Sequence, residues 1–162
     1  MRSIRWEDLD DAIEFINSMA DEGAEILRTE RVTRNEEAEW LGRRLARIEK
    51  GDIIDAIAEV DGKVVANSEV EKRTGMMSHL GYIGLAIRTG YRGIGIGAAI
   101  MKALIEESRM AGLKMLFLDH FETNKIARGL YEKVGFRETG RLPKAIHRSG
   151  TYTDLVRMVL EL

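Results

Sequence analysis

The chain has 162 residues, 44% of them hydrophobic and 32% charged, with 25 basic against 27 acidic side chains and a formal net charge of −2. That length and apolar content suit a single domain, 1–162, with a sizeable core, and the near balance of charge gives no support for a nucleic-acid partner. There is no cysteine, which excludes disulfides and thiolate metal sites, and no apolar run approaches the length of a membrane span.

The N-terminus, Met1-Arg2-Ser3-Ile4-Arg5-Trp6-Glu7-Asp8, lacks the apolar centre of a signal peptide, so a cytoplasmic protein is expected. Ser3–Trp6 predicts a short first strand with Ile4 and Trp6 on one face. Leu9, Ile13, Ile16 and Ala20 recur at helical spacing over Leu9–Met19, and Asp21-Glu22-Gly23 ends that helix. Thr33-x-x-Glu36 is a capping box opening a second helix. Its buried stripe is Ala38, Leu41, Leu45 and Ile48, and Gly51 stops it. Ile53–Val60 and Lys63–Val70 predict two strands joined by Asp61-Gly62, a strong hairpin signal. Met76–Ile87 predicts a third strand, followed by a glycine-rich loop and a helix with core residues Ile100 and Leu104, ended by Gly112. Lys114–Phe121 then predicts a strand and Asn124–Lys133 a helix stopped by Gly135. Phe136–Ile146 and Thr151–Leu160 close the chain as two strands around Arg148-Ser149-Gly150.

The stretch from Gly81 to Ala111 organises the rest. A strand, a glycine-rich turn and a helix start present several backbone N–H groups without intrahelical partners to an anion, and the helix dipole adds positive charge there. Gly93, Gly95 and Gly97 leave room for a ligand against the main chain, while Arg92 and Arg88 supply full positive charge nearby. The pattern reads as a pyrophosphate cradle. Gly93-x-Gly95-x-x-Ala98 also satisfies the dinucleotide fingerprint, with Asp119 at about the distance of a ribose-binding acid. However, the motif lies past the midpoint, and a closing hairpin follows instead of alternating strands and helices. A Walker loop is excluded because no Gly-Lys-Ser/Thr follows.

Arg92-Gly-Ile-Gly95-Ile-Gly97 resembles the Arg/Gln-x-x-Gly-x-Gly/Ala signature of the GCN5-related N-acetyltransferases (GNAT family). Asn124-Lys-Ile-Ala127-Arg-Gly-Leu-Tyr131-Glu-Lys-Val-Gly135-Phe136 resembles that family's second block, in the right order and at a family-like distance. The resemblance covers roughly residues 80–137. It implies an α/β (α+β) domain with a mixed, mostly antiparallel sheet flanked by helices in the order βααβββαβαββ. It also implies acetyl transfer from acetyl-CoA to a primary amine, by direct attack in a ternary complex. The acceptor would be a protein N-terminus, as in the ribosomal-protein alanine acetyltransferases, or a small molecule such as a polyamine or an amino-acid-like compound. A non-catalytic acyl-CoA-binding module is the alternative in another class, and homodimers are common in the family.

On this resemblance Leu85, Ala86 and Ile87 would pair with the pantetheine arm. The pyrophosphate would lie on the amides of Gly93, Ile94, Gly95, Ile96, Gly97 and Ala98, beside Arg92. Positions 124, 128 and 131 share a helix face, so Asn124, Arg128 and Tyr131 would face the cofactor, with Tyr131 as general acid toward the thiolate. Asn124 could in addition cap its own helix. Asp119 stands where related enzymes carry a glutamate base, its shorter reach suiting a bridging water, and Glu122 is its rival. Strand alternation turns His120 away from Asp119's face. His79 and His147 are isolated, and no metal is expected. For the acceptor the clues oppose each other: Asp21, Glu22 and Glu25 would attract a cationic amine, whereas Arg137, Arg141, Lys144 and Arg148 would suit an acidic one.

Overall fold

The computed structural model describes residues 1–26 and 30–162. Among these described residues four α-helices, α1 (Leu9–Asp21), α2 (Arg34–Glu49), α3 (Ile96–Met110) and α4 (Lys125–Lys133), flank a six-stranded sheet. The strands are β1 (Ile53–Val60), β2 (Lys63–Lys72), β3 (Leu80–Ile87), β4 (Met115–Phe121), β5 (Arg137–Arg148) and β6 (Thr151–Glu161). They lie in the order β1-β2-β3-β4-β6-β5. Only β3 and β4 run parallel; every other neighbouring pair is antiparallel.

The local signals act as their chemistry dictates. The Thr33 hydroxyl accepts from the Glu36 amide at 3.3 Å, while the Glu36 carboxylate accepts from the Thr33 amide at 2.8 Å, closing the capping box of α2. Asp61 and Gly62 both take positive φ (50° and 76°), the geometry a two-residue hairpin turn requires. Two apolar layers result, one on each face of the sheet. Ile100, Met101 and Leu104 of α3 pack on Leu116, Leu118, Val156 and Met158. Phe15, Met19 and Leu41 of α1 and α2 pack on Ile57 and Val64.

Two predicted strands are shorter than their apolar patterns suggest. Ser3–Trp6 forms no strand. A single antiparallel bridge joins Arg2 to Ile57, and Trp6–Asp8 is a 3-10 turn with Trp6 half exposed. The reason is a side chain: the Ile4 amide and the Ser3 hydroxyl donate to the Asp55 carboxylate, at 2.7 and 2.8 Å, instead of to a neighbouring strand. Met76–His79 also lies outside β3, because Gly75–Met77 makes a 3-10 turn and Met76 has nothing to pack against.

Asp55 also holds Arg44 of α2. Both side chains are buried, and Arg44 Nε donates to Asp55 at 2.8 Å while Nη2 donates to the Asn67 side chain at 2.8 Å. This ion pair ties the N-terminal segment and α2 to β1 and β2. Removing one member of a buried pair leaves the other charge unpaired. Asp55→Ala is therefore expected to lower unfolding free energy by about 3–5 kcal/mol, measured by urea denaturation, whereas breaking the exposed Arg137–Glu161 pair should change it by under about 1 kcal/mol.

Candidate active site

β3 and β4 pair only at Leu80–Met115, Gly81–Leu116 and Tyr82–Phe117. Past these residues they part. Residues 83–87 of β3 and 119–121 of β4 line the two sides of a cleft of about 1040 Å³ that reaches both faces of the sheet.

The parting leaves main-chain groups of β3 without a strand partner. The Arg73 amide donates to the Leu80 carbonyl at 3.0 Å, and the Arg88 amide to the Val65 carbonyl at 2.8 Å. The β2 ladder therefore uses the even-numbered residues of β3, and alternation turns the main chain of Ile83, Leu85 and Ile87 toward the gap. Leu85 and Ile87 are thus placed to pair with an extended ligand. Ala86, grouped with them from sequence, lines the cleft but spends its backbone groups on β2.

At the far end of β3 lies the glycine loop. Gly93 and Gly95 have φ of 77° and 96° and open space where a Cβ would project. Gly95 caps α3, whose first amides, those of Ile96, Gly97 and Ala98, have no intrahelical acceptor. Gly97 has another reason: a Cβ there would stand 2.9 Å from both Ile87 Cδ1 and Leu130 Cδ2, so glycine lets α3 seat against β3 and α4. The side chain of Ile94 is exposed and that of Ile96 packs in the core, leaving only their amides for a ligand.

The arginines behave differently from the sequence expectation. Arg92 Nε donates to the Ile87 carbonyl at 2.7 Å, and its Nη2 pairs with Glu22 at the end of α1. Arg88 turns to α1, where it pairs with Glu14 at 2.8 Å over the Phe15 ring. Arg128 does not line the cleft, because Glu132 one turn on (2.9 Å) and Glu138 (3.2 Å) draw its guanidinium toward β5. The α4 residues that do line it are Ile126, Ala127, Leu130, Tyr131 and Lys133, together with the capping Asn124, whose side chain accepts from the Ala127 amide at 3.0 Å.

The two proposed proton-transfer groups stand on opposite sides of the sheet. Tyr131 is buried beside His120 and Phe136, and burial pushes its phenol up to about 12, with Tyr82 adding to the effect. Asp119 lies on the α2 side, its two carboxylate oxygens each accepting from Arg157 at 2.8 Å, and this pairing raises the Arg157 guanidinium. Tyr82, on the same side, is raised by burial and by the Asp119 charge. Glu122 does not reach the cleft, since Arg141 holds it at 2.7 Å. Arg157, Trp40, Glu69 and Tyr82 escaped the sequence reading. Arg157 meets Asp119 only because β6 inserts between β4 and β5, a pairing no local motif encodes. Trp40, a large aromatic beside the apolar stripe of α2, was the one visible signal among them.

The GNAT acetyltransferase family model matches residues 15–136. The chain belongs to that family. It is 33% identical over 76 residues to the L-methionine sulfoximine/L-methionine sulfone acetyltransferase of Pseudomonas aeruginosa, a match covering 47% of this chain and 44% of that protein. The chain thus spans under half the length of that curated relative. Among solved structures, the ribosomal-protein-alanine N-acetyltransferase of Brucella melitensis superposes with a TM-score of 0.87 at 24% identity, covering 99% of this chain and 98% of the other. An acetyltransferase of Salmonella typhimurium solved with acetyl-CoA gives 0.85 at 21% identity, covering 99% and 91%. At these identities the likeness shows the GNAT fold.

The burial of Tyr131 carries a linkage consequence. Its folded value lies above that of an unfolded tyrosine, so between pH of about 10 and 12 the folded state holds more protons and stability falls as pH rises. In this window Tyr131→Phe is expected to flatten the dependence of unfolding free energy on pH relative to the parent protein, measured by urea denaturation.

Proposed function

We propose that this GNAT protein transfers the acetyl group of acetyl-CoA to a primary amine by direct attack in a ternary complex. The parting of β3 and β4 carries the reading, because it opens one continuous channel between a set of unpaired amides and a buried phenol. Pantetheine is an extended amide chain, and the Leu85 main chain and the Ile87 amide, which have no strand partner, suit it as an added strand would. The pyrophosphate would rest on the amides at the α3 N-terminus, from Gly93 to Ala98. An arriving anion would compete with Glu22 for Arg92, which stands beside these donors. Asn124 would border the cofactor, while Arg128 would contribute only from outside the cleft.

The chemistry follows from the two faces. The acceptor enters from the α1/α2 side, past Trp40, Glu69 and Tyr82, and gives up a proton to Asp119, directly or through water. Its nitrogen attacks the thioester carbonyl, whose developing oxyanion takes a β3 amide. As the C–S bond breaks the nitrogen sheds its second proton to water, and Tyr131, kept protonated by burial, donates to the leaving thiolate. No metal is required. The setting is cytoplasmic on this reading, and homodimer pairing is an expectation from the family.

The acceptor arrives as a cationic amine. Glu22, Glu25, Glu69 and Asp119 border the cleft, paired with Arg92, Thr123, Arg44 and Arg157, and the bases of its lining are Arg44, Arg92 and Lys133. Of the basic run Arg137, Arg141, Lys144 and Arg148, Arg137 pairs with Glu161 and Arg141 with Glu138 and Glu122, Lys144 lies outside the lining, and Arg148 reaches the cleft border at the Gly23 carbonyl. Four acids against three bases in this lining favour a polyamine or a peptide N-terminus over an acidic acceptor.

Two measurements test the reading. Acetyl-CoA at about a hundred times its dissociation constant should stabilise the protein by on the order of 2.7 kcal/mol, with NAD leaving the melting temperature unchanged; a shift with NAD alone would sink the reading. With an amine acceptor, Tyr131→Phe should lower kcat on the order of a hundredfold while acetyl-CoA affinity stays within a few-fold. Equal loss of both would make Tyr131 a binding residue.

A further inference from the structure

Two glycines inside β3 are there for different reasons. A Cβ at Gly81 would stand 2.5 Å from Val70 Cγ1 and 2.9 Å from Leu116 Cδ2, so close packing requires glycine there. Gly84 has no such reason. Its φ is not positive, and among the described residues no heavy atom beyond its chain neighbours lies within 4 Å of where a Cβ would project. Glycine inside a strand weakens it, and it marks positions where a ligand or another chain comes close to the backbone. The open space lies on the acceptor face of the sheet. Ala86 packs toward α1 and α2, Tyr82 meets Phe117 on that same side, and alternation puts Gly84 between them.

Strand pairing fixes what stands at the two ends of this opening. Glu69 of β2 is the register partner of Gly84, and its carboxylate takes Arg44 of α2 at 3.3 Å, which puts it on the same face. On the other side, β3 and β4 are last paired at Tyr82 and Phe117, so two residues further along each strand Gly84 and Asp119 face one another across the gap. Acid, bare backbone and acid thus form one row across the sheet, and all three residues line the cleft, with Trp40 and Tyr82 as apolar surface. Neighbouring strands stand about 4.8 Å apart, which puts the main chains of Glu69 and Asp119 about 10 Å apart. The charge at the Glu69 end is not cancelled. Arg44 meets two carboxylates, and the Asp55 side chain is 0% exposed whereas that of Glu69 is 37% exposed. Two acids on one guanidinium leave one negative charge in surplus, and Glu69 presents it to the cleft.

We infer that Gly84 determines acceptor specificity and that the acceptor it admits is an unbranched chain with an ammonium at each end. The methylenes cross β3 over the bare Gly84 backbone. The distal ammonium pairs with Glu69, and the proximal nitrogen reaches the gap, where Asp119 takes its proton. One end alone is acetylated, because the other keeps its charge at Glu69. A peptide N-terminus is branched at its α-carbon and carries no second cation at a set distance, so it does not match the row.

This inference rests on the acetyltransferase reading and selects between its two cationic acceptors. Acetylation of diaminobutane, of butylamine (the same chain with one nitrogen) and of an alanine-led peptide is measured for the parent protein, Gly84→Ala, Gly84→Val and Glu69→Gln, beside melting temperature and acetyl-CoA binding. The parent protein is expected to prefer diaminobutane to butylamine by about tenfold or more in kcat/KM, the worth of a charge-assisted hydrogen bond, with the peptide slower than either. Glu69→Gln still accepts from Arg44 and should bring that preference to within about threefold. Gly84→Val should raise the KM for diaminobutane on the order of tenfold by filling the crossing point. Its acetyl-CoA affinity should stay near the parent value and its melting temperature level or higher, since a β-branched side chain suits a strand. Should the valine variant fail to fold, Gly84→Ala decides by the same rise in KM. A parent protein that favours the peptide, or that treats the two amines alike, overturns the inference and leaves acetyl transfer standing. An unchanged KM in the Gly84 variants does the same, as does a lower melting temperature with an equal loss of acetyl-CoA binding, which would make Gly84 a packing position. A parent protein that binds acetyl-CoA but acetylates none of the three overturns the acetyltransferase reading itself, recognisably, because the unmutated protein is then silent.

Discussion

The parting of β3 and β4 is the constraint from which the rest of the site follows. A sheet normally pairs every interior main-chain group; here pairing between these two strands stops at Tyr82 and Phe117. The main chain of Leu85 and the Ile87 amide face an open gap, while the Ile87 carbonyl takes the Arg92 side chain, so a ligand with its own amides can stand where a strand would. The glycine loop follows β3 directly and delivers the first turn of α3 to the same end of the gap. α4 follows β4 after a short turn and sets Tyr131 along its other wall. One topological event thus brings a donor row, an anion site and an acid together, although they are separated by dozens of residues in sequence.

Keeping the gap open depends on rigid flanks. On one side the buried Arg44–Asp55 pair locks α2 and the N-terminal segment to β1 and β2. On the other, Gly97 lets Ile87 and Leu130 meet across α3, so helix, strand and α4 form one packed unit. Such a pair is weak evidence for net stability, since desolvation offsets much of its attraction. Its effect here is positional: the carboxylate that holds Arg44 also anchors Ile4, and the guanidinium that it holds orients Asn67 at the cleft wall. The loop arginines serve the frame in the same way, Arg88 through α1 and Arg92 through the Ile87 carbonyl.

Much of this was legible in the chain because it is locally encoded. The capping box at Thr33, the Asp61-Gly62 turn, the glycines before α3 and the apolar periods of the helices each depend on neighbours within a few residues. The two family blocks mark the loop and α4 for the same reason. What escaped depends on distant partners. Ser3–Trp6 has a strand's pattern, but its amides go to the Asp55 side chain. Arg128 lies on the helix face expected to point inward, yet Glu132 and Glu138 draw it out. Asp119 looks like an isolated acid at a strand end until β6 places Arg157 opposite it. Charged side chains are long and seek partners through space, so their positions were the least readable part of the sequence.

His120 shows how far alternation along a strand can be taken. The period of two separates it from Asp119, and read alone that pattern takes it out of the chemistry. The site, however, has two working faces, because the gap between β3 and β4 runs through the sheet. A residue turned away from the base is turned toward the acid. His120 therefore packs its ring beside Tyr131, held in one tautomer by the Phe121 carbonyl.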